Sequence, residues 1–339
     1  MAHTTPPRGP EHGVAQEIRA VLDELTVLLP ISTNPLAEEI EATTVAWLAA
    51  LPIGDRDRRR RLRASRIGLG TAASFPHVPL GVARLISRLA LYLIAFDDTV
   101  AEDNAARDLP AFLRQAAPVW RTLQDFAETE RLPGPWTDPL HELLDEADSL
   151  LPQPVAQRVR QAARDYLFAA AWEASARADA TPPAFDEYQA MFRHATQSAV
   201  SLTFLEATFH GPSRVDPLHG ERIRRGRTAA ADLVLHIGRL ASHPIEEARG
   251  TAFAPAPPPS GAPDHATRAR ACAETIIRLR DTCAHDPVTG PYSRALAAWA
   301  AGVVHWHRLA LTTRYALPAP TPRCHTPGET GTTDEGSQQ

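Results

Sequence analysis

Two adjacent aspartates follow an uncharged run in the stretch LYLIAFDDTVAED, residues 91–103. Asp97 and Asp98 come directly after six uncharged residues, and Glu102 lies four positions after Asp98. Residues four apart share one face of an α-helix, so Asp98 and Glu102 would lie on the same side, with Asp97 beside them. Carboxylate oxygens at this spacing suit Mg²⁺, a hard cation that shares its ligands with phosphates. A solvated helix end would carry the same residues, so this string alone leaves both interpretations open.

A hydroxyl and a carboxylate form the second candidate, in the stretch GRLASHPIEEARG that begins at Gly238. Gly238, Ser242 and Glu246 follow a four-residue step, so in one continuous helix they form a single stripe that could share a second Mg²⁺. The competing interpretation makes Ser242 the N-cap of a new helix whose first turn contains Pro244 and Glu246. A proline inside a helix costs a backbone hydrogen bond, so the stretch in isolation favours the helix break.

Cationic and phenolic side chains near the C-terminus supply donors for an anion. Arg314 and Tyr315 follow the stretch WAAGVVHWHRLALTT, which contains Trp306. A guanidinium and a phenol both donate hydrogen bonds to phosphate oxygens. Arg193 and Thr196 lie together in the middle of the chain, in the stretch YQAMFRHATQS, where an arginine is usually a solvated helix residue.

The rest of the chain favours the helices that would position these residues. Apolar residues recur at three- and four-residue spacing in stretches such as VARLISRLALYLIAF, and alternating strand patterns are absent. We therefore predict one all-α domain over residues 14–317, with a Pro-rich loop at about 251–266. Residues 1–13 and 318–339 are expected to be disordered tails.

Composition argues against several classes of function. The 339 residues carry a formal net charge of −5, which gives no reason to expect a nucleic-acid partner. The arginine-rich run DRDRRRRLRASR, residues 55–66, is expected to be a solvated helix face. No uncharged run approaches the length that spans a bilayer, and the N-terminus lacks the apolar core of a signal peptide. With only three scattered cysteines, the chain is expected in a reducing cytoplasm, without stable membrane insertion.

The order of these groups along the chain is more specific than any one of them. It resembles the bacterial class I terpene synthases, or terpene cyclases. In that family an Asp-rich motif precedes a diphosphate-sensing arginine, an Asn-Ser-Glu metal triad and a C-terminal Arg-Tyr pair. The resemblance covers about residues 56–316. The matching residues are Asp97, Asp98, Glu102, Arg193, Gly238, Ser242, Glu246, Arg314 and Tyr315.

The resemblance implies one helical bundle around a central apolar cavity. It implies an enzyme that ionises a prenyl diphosphate, most often of 15 or 20 carbons, with loss of diphosphate and cyclisation of the carbocation. Quenching would then give a terpene hydrocarbon or alcohol. Family members use three Mg²⁺ ions, for which Mn²⁺ can substitute, and a monomer or homodimer is expected. The implied metal ligands are Asp97, Asp98, Glu102, Ser242 and Glu246.

Other side chains receive roles from the same resemblance. Arg193, Arg314 and Tyr315 would hold the departing diphosphate. Aromatic rings can stabilise a carbocation in a dry cavity. The candidates for that wall are Phe96, Phe192, Trp306 and Phe75.

Three positions depart from the family pattern. Gly238 stands where the triad has asparagine and offers no side-chain ligand. Arg239 stands at a usually acidic position, and Ile245 at a usually basic one. These departures keep open an alternative, a helical protein that binds diphosphate without turnover. A chain-elongating prenyl diphosphate synthase would need a second Asp-rich motif, and a class II cyclase a D-x-D-D string, and the sequence has neither.

Overall fold

The computed structural model describes residues 10–101, 108–124, 131–178, 182–207, 220–249, 255 and 260–316. The described residues form a single helical domain, and no β-strand occurs among them. The α-helices, numbered in chain order, are α1 Pro10–Leu28, α2 Ala37–Trp47, α3 Arg56–Ala64, α4 Ile67–Ser74, α5 Leu80–Phe96, α6 Leu109–Thr122, α7 Thr137–Leu150, α8 Gln153–Ala178, α9 Phe185–Ala195, α10 Ser198–Ala207, α11 Glu221–Arg249, α12 His265–Thr282 and α13 Thr289–Ala310. The prediction of an all-α fold is confirmed.

Helix α5 packs inside the bundle and directly precedes the two aspartates. Its apolar residues are buried at three- and four-residue spacing, including Leu85, Leu89 and Tyr92, and it packs against α2, α4 and α7. The α-helix ends at Phe96, and a π-helical turn follows it over Asp97–Ala101. Such turns are frequent at functional sites because they change the direction in which successive side chains point.

Helix α13 approaches α4 closely at a glycine. A Cβ atom on Gly302 would lie 2.3 Å from the backbone of Ala73 and Ser74. A Cβ on Gly70 of α4 would lie 2.5 Å from Cδ1 of Trp306. Only glycine at these two positions lets the helices meet at this distance, and the contact fixes Trp306 against α4.

Helix α11 continues without interruption through Pro244, so the predicted helix break at Ser242 is wrong. Ile237, Ala241 and Ile245 are all buried and form one stripe along this helix. Burial of that stripe on both sides of Pro244 outweighs the hydrogen bond lost at the proline. Ser242 is therefore an interior residue of the helix.

The predicted ends of the domain differ slightly from the structure. Helix α1 begins at Pro10, inside the segment 1–13 that was expected to be a tail. After the Pro-rich segment, α12 begins at His265, and Asp264 caps it by accepting a hydrogen bond from the Thr267 amide at 2.7 Å. The segments 250–254 and 256–259 and the predicted tail 318–339 lie outside the described residues. Within the described part of the chain, no helix is both long and apolar enough to cross a bilayer.

Candidate active site

A cavity of about 280 Å³ opens in the middle of the bundle. Side chains from α4, α5, α8, α9, α10, α11 and α13 contribute to its wall. Much of this wall is aliphatic or small, as shown by Ile67, Ile86, Ile94, Val234 and Val303. A wall of this kind excludes water and suits a hydrocarbon.

The two aspartates have different surroundings at this cavity. Asp97 lines the cavity. Asp98 is only 3% exposed and receives two hydrogen bonds from Arg314, at 2.9 Å and 2.7 Å. This two-pronged ion pair joins the end of α5 to the segment after α13. The third predicted acid, Glu102, lies outside the described residues.

The triad stripe faces the same cavity from α11. Gly238, Ser242 and Glu246 all line it, as expected for a four-residue step on a continuous helix. The Glu246 carboxylate accepts a hydrogen bond from Nη1 of Arg239 at 2.8 Å. Burial alone would raise the pKa of Glu246, but Arg239 and the Ser242 hydroxyl hold that pKa below its ordinary value. Glu246 is therefore an anion with donors already in place.

The C-terminal pair also reaches the cavity. Arg314 and Tyr315 both line it. Burial raises the pKa of Tyr315, so its hydroxyl keeps its proton and remains a donor. The Tyr315 ring stacks on His307, with ring centroids 6.2 Å apart and planes 9° apart.

Arg193 does not line the cavity, which corrects its predicted placement. Its side chain turns to α11 and donates to the Asp232 carboxylate, at 2.5 Å from Nε and 3.1 Å from Nη2. Arg177, which the sequence pattern did not single out, lines the cavity instead and donates to Glu173 at 2.6 Å. The only signal for Arg177 was its i,i+4 spacing from Glu173, and such spacing is common on exposed helices.

Phe96 is also misplaced by the prediction. It is fully buried outside the cavity wall, where its ring meets Trp136 edge-on with centroids 5.2 Å apart. The other predicted aromatic residues, Phe192, Trp306 and Phe75, do line the cavity. The Trp306 indole is held by a hydrogen bond to the Ser65 carbonyl at 2.7 Å.

His307 is a cavity residue that the sequence pattern missed. Its Nδ1 lies 2.9 Å from the Val303 carbonyl, which can only accept, so Nδ1 carries the proton and Nε2 a lone pair. Burial lowers the pKa of His307 to about 4. The ring is therefore neutral near pH 7.

The aspartates and the triad differ in donor chemistry. Asp97 and Asp98 provide adjacent carboxylates, an oxygen donor set that fits a hard divalent cation. At the triad, Gly238 provides no side-chain ligand, so the Ser242 hydroxyl and the single carboxylate of Glu246 remain, and that carboxylate pairs with Arg239. No group of three His, Cys, Asp or Glu side chains close enough to hold a metal occurs in the described segments.

Comparison with known proteins agrees with this geometry. The profile of the family described as "Terpene synthase family 2, C-terminal metal binding" matches residues 88–253, which include both the aspartates and the triad stripe. The chain is 25% identical to a 4-epi-cubebol synthase of Streptosporangium roseum, described as (2E,6E)-farnesyl diphosphate cyclizing, over 68% of this chain and 69% of that protein. It is 30% identical to the labda-7,13(16),14-triene synthase of Streptomyces clavuligerus, over 65% of this chain and 64% of that protein.

Solved structures show the same fold. The linalool/nerolidol synthase from Streptomyces clavuligerus superposes with a TM-score of 0.66 at 18% identity, covering 82% of this chain and 98% of that one. The profile match and the sequence relatives agree with the acid-lined cavity, and the chain is similar in sequence to bacterial terpene synthases and shares their helical fold.

Proposed function

We propose that this protein ionises a prenyl diphosphate in a reaction that depends on a divalent metal. The resulting carbocation cyclises and is quenched to a terpene hydrocarbon or alcohol. One observation carries the proposal: a single cavity gathers Asp97, Glu246 and Arg314, which lie up to about two hundred residues apart in the sequence.

The polar end of the cavity provides the groups that this reaction needs. Asp97 and Asp98, with Glu102, would hold Mg²⁺ or Mn²⁺. Bound metal would neutralise charge on the diphosphate and make it a better leaving group. Arg314 and Tyr315 line the same cavity, and their hydrogen-bond donors would stabilise the negative charge that grows as the carbon–oxygen bond breaks.

Arg177 is a further candidate to hold the diphosphate. It lines the cavity, whereas Arg193 faces Asp232. A guanidinium presents several donors in a fixed plane and keeps its charge at any physiological pH. We therefore assign to Arg177 and Arg314 the anion-binding role that was first expected of Arg193 and Arg314.

The wall of the cavity controls the carbocation after ionisation. Phe75, Phe192 and Trp306 present aromatic rings, and each desolvated ring can stabilise a cation by about 2 kcal/mol. The aliphatic remainder excludes water that would quench the cation early. Small residues such as Ala90 and Ala170 leave room for the hydrocarbon.

The relatives support two substrate lengths. One is described as cyclizing farnesyl diphosphate, a 15-carbon substrate, and others are named as synthases of labdatrienes, which are labdane-type diterpenes. We accordingly propose a 15-carbon or 20-carbon prenyl diphosphate as the substrate class.

A substrate panel tests the proposal. Purified protein is incubated with Mg²⁺ and linear diphosphates of 10, 15 and 20 carbons, and with bicyclic diterpenyl diphosphates. Organic products are identified by mass, and inorganic diphosphate is quantified. We expect one substrate to give a terpene and an equal amount of diphosphate, and Asp97→Asn to abolish both while leaving the far-ultraviolet circular dichroism unchanged.

Two other results would contradict the proposal. No turnover of any substrate with Mg²⁺ or Mn²⁺ would contradict catalysis. Metal-dependent binding of diphosphate without product would instead support the non-catalytic alternative, in which the protein kept the fold and the anion site alone.

A further inference from the structure

Two hydroxyl groups of α4 open into the cavity. Thr71 and Ser74 both line it, and each residue is only 6% exposed. Within the described part of the chain, neither hydroxyl forms a hydrogen bond, yet neither oxygen is enclosed by protein atoms. The surface that remains accessible on these two groups therefore faces the cavity.

Other hydroxyls of the bundle pair with the backbone of their own helix. Thr26, Thr44 and Thr203 each donate to the carbonyl four residues earlier, at 2.8, 2.6 and 2.9 Å. This bond is a common choice for a hydroxyl inside a helix because it satisfies the donor locally. Thr71 and Ser74 do not make it, so their donors and lone pairs are available to a molecule in the cavity.

The surroundings make these two groups costly to leave without a partner. Ile67 and Phe75, which flank the pair along α4, also line the cavity. A hydroxyl that faces apolar side chains without a hydrogen bond costs free energy, so a small polar ligand is expected beside it. Thr71 and Ser74 are three residues apart and share one helix face, with Cβ atoms about 5–6 Å apart. One water molecule with hydrogen bonds of about 2.8 Å reaches both oxygens.

Packing of α4 fixes the position of the pair. A Cβ on Gly302 would lie 2.3 Å from the backbone nitrogen of Ser74, so α13 presses directly on this turn. The turn itself is closed by a hydrogen bond of 2.8 Å from the Phe75 amide to the Thr71 carbonyl. A water bound here would keep one place in the cavity. It would meet only the part of the carbocation that folds against α4, while the rest of the wall excludes water.

We propose that Thr71 and Ser74 hold a water molecule that attacks the carbocation, so that the product is a terpene alcohol. This inference rests on the proposed function, which generates the carbocation. It chooses between the hydrocarbon and the alcohol that the proposed function leaves open.

The attack needs a group that takes up a proton. A lone pair of the water oxygen forms a carbon–oxygen bond with the cationic carbon, and the resulting oxonium ion becomes the alcohol when one of its oxygen–hydrogen bonds breaks. His307 lines the same cavity and offers the lone pair of Nε2, because its Nδ1 donates to the Val303 carbonyl. The proton moves to Nε2, and the positive charge passes from the product to the imidazole. A protonated alcohol is a far stronger acid than an imidazolium, so this transfer is favourable although burial lowers the pKa of His307 to about 4.

Labelled water and a paired variant test this inference. The protein is incubated with Mg²⁺, in water enriched in oxygen-18, with the prenyl diphosphate that the substrate panel identifies. Organic products are analysed by mass, and inorganic diphosphate is quantified. We expect an alcohol that carries one labelled oxygen. In the variant Thr71→Val with Ser74→Ala, diphosphate should still be released, but the ratio of alcohol to hydrocarbon should fall about tenfold, because two hydrogen bonds to the water are lost.

A matched control removes the same groups elsewhere. Thr26→Val with Ser149→Ala deletes two hydroxyls that bond to their own helices outside the cavity, and should keep the native ratio. A native product that contains only hydrocarbons would overturn the inference. So would an unchanged ratio in the variant of Thr71 and Ser74 with native circular dichroism. Failure of the proposed function looks different, because no substrate would then release diphosphate, and this inference would fall with it.

A crystal structure of the native protein provides a second test that needs no turnover. We expect an ordered water in hydrogen-bond contact with the Thr71 and Ser74 hydroxyls. An empty, well-ordered site beside both hydroxyls would overturn the inference.

Discussion

The ion pair between Asp98 and Arg314 joins the residues after α5 to the segment after α13. Breaking it should lower the free energy of unfolding by an amount that can be estimated. Both carboxylate oxygens of Asp98 accept from Arg314, and the side chains are only 3% and 16% exposed. Arg314→Leu leaves the Asp98 charge buried without this partner. Loss of one member of a buried pair typically costs about 3–5 kcal/mol, and we expect a loss of about that size in the free energy of unfolding.

Two controls separate the buried charge from lost packing. Asp98→Asn added to Arg314→Leu removes the isolated charge, so the double variant should be more stable than Arg314→Leu alone. Arg308→Leu breaks an ion pair with Asp23 on the protein surface, where the side chains are 39% and 47% exposed, and should cost below about 1 kcal/mol.

Urea unfolding at pH 7, followed by circular dichroism, measures the free energy of unfolding of the native protein, Asp98→Asn, Arg314→Leu, their double variant and Arg308→Leu. We expect a coupling energy of at least about 1.5 kcal/mol between Asp98 and Arg314, since contacting buried charges interact well above the additivity error of about 0.5 kcal/mol. Additive effects of the two substitutions would refute the buried pair. So would equal losses for Arg314→Leu and Arg308→Leu.

Three further predictions concern packing, pH and the cavity wall. Gly302→Ala should lower the free energy of unfolding by about 1–3 kcal/mol because its Cβ would lie 2.3 Å from the α4 backbone. In the control Gly81→Ala the Cβ would lie 3.7 Å from the Leu150 side chain, so no stability should be lost. Thermal unfolding of both variants checks this. The imidazole of His307 is protonated in the unfolded chain below pH 6.5 but stays neutral in the folded chain down to about pH 4. The free energy of unfolding should therefore fall by up to about 3 kcal/mol as the pH drops from 6.5 to 4, and by less in His307→Gln. Urea titrations at each pH check this. Phe192→Leu should change the ratio of terpene products, while Phe96→Leu should lower the melting temperature and leave that ratio unchanged; product analysis by mass would contradict this if the two variants behaved alike.

Helical periodicity predicted the all-α fold, but the rule that a proline breaks a helix gave a wrong prediction at Ser242. The apolar spacing of α5 and the order of the motifs were visible in the sequence. Pro244 argued for a break beside Ser242, yet α11 continues because Ile237 and Ile245 are buried on both sides of it. The backbone hydrogen bond lost at a proline can be read from the sequence. The apolar burial that offsets this loss depends on the neighbouring helices, which the local sequence does not show.

The direction of individual side chains was the second limit. Successive residues on a helix point about 100° apart, so neighbours such as Phe96 and Asp97 can face different surroundings. The structure turns Asp97 inward and Phe96 toward the core. Phe192 and Arg193 divide in the same way, with the ring in the wall and the guanidinium on Asp232. A motif gives the positions of such residues and leaves their rotation about the helix axis undetermined.

Some contacts join residues too distant in the sequence for any spacing rule. Arg314 reaches Asp98 from 216 residues away, and His307 lies beside Gly238 because α13 packs against α11. The sequence showed that Arg239 stands at a usually acidic position, but it did not show that Arg239 pairs with Glu246. That pairing needed the geometry of a helix that continues past a proline.

The central claim is that acids and arginines from distant parts of the chain form one site for metal and diphosphate. A crystal soaked with Mn²⁺ and inorganic diphosphate, measured at a wavelength where manganese scatters anomalously, tests it most directly. We predict an anomalous peak at Asp97 and diphosphate in contact with Arg314 and Tyr315. Manganese or diphosphate bound only outside this cavity would contradict the claim.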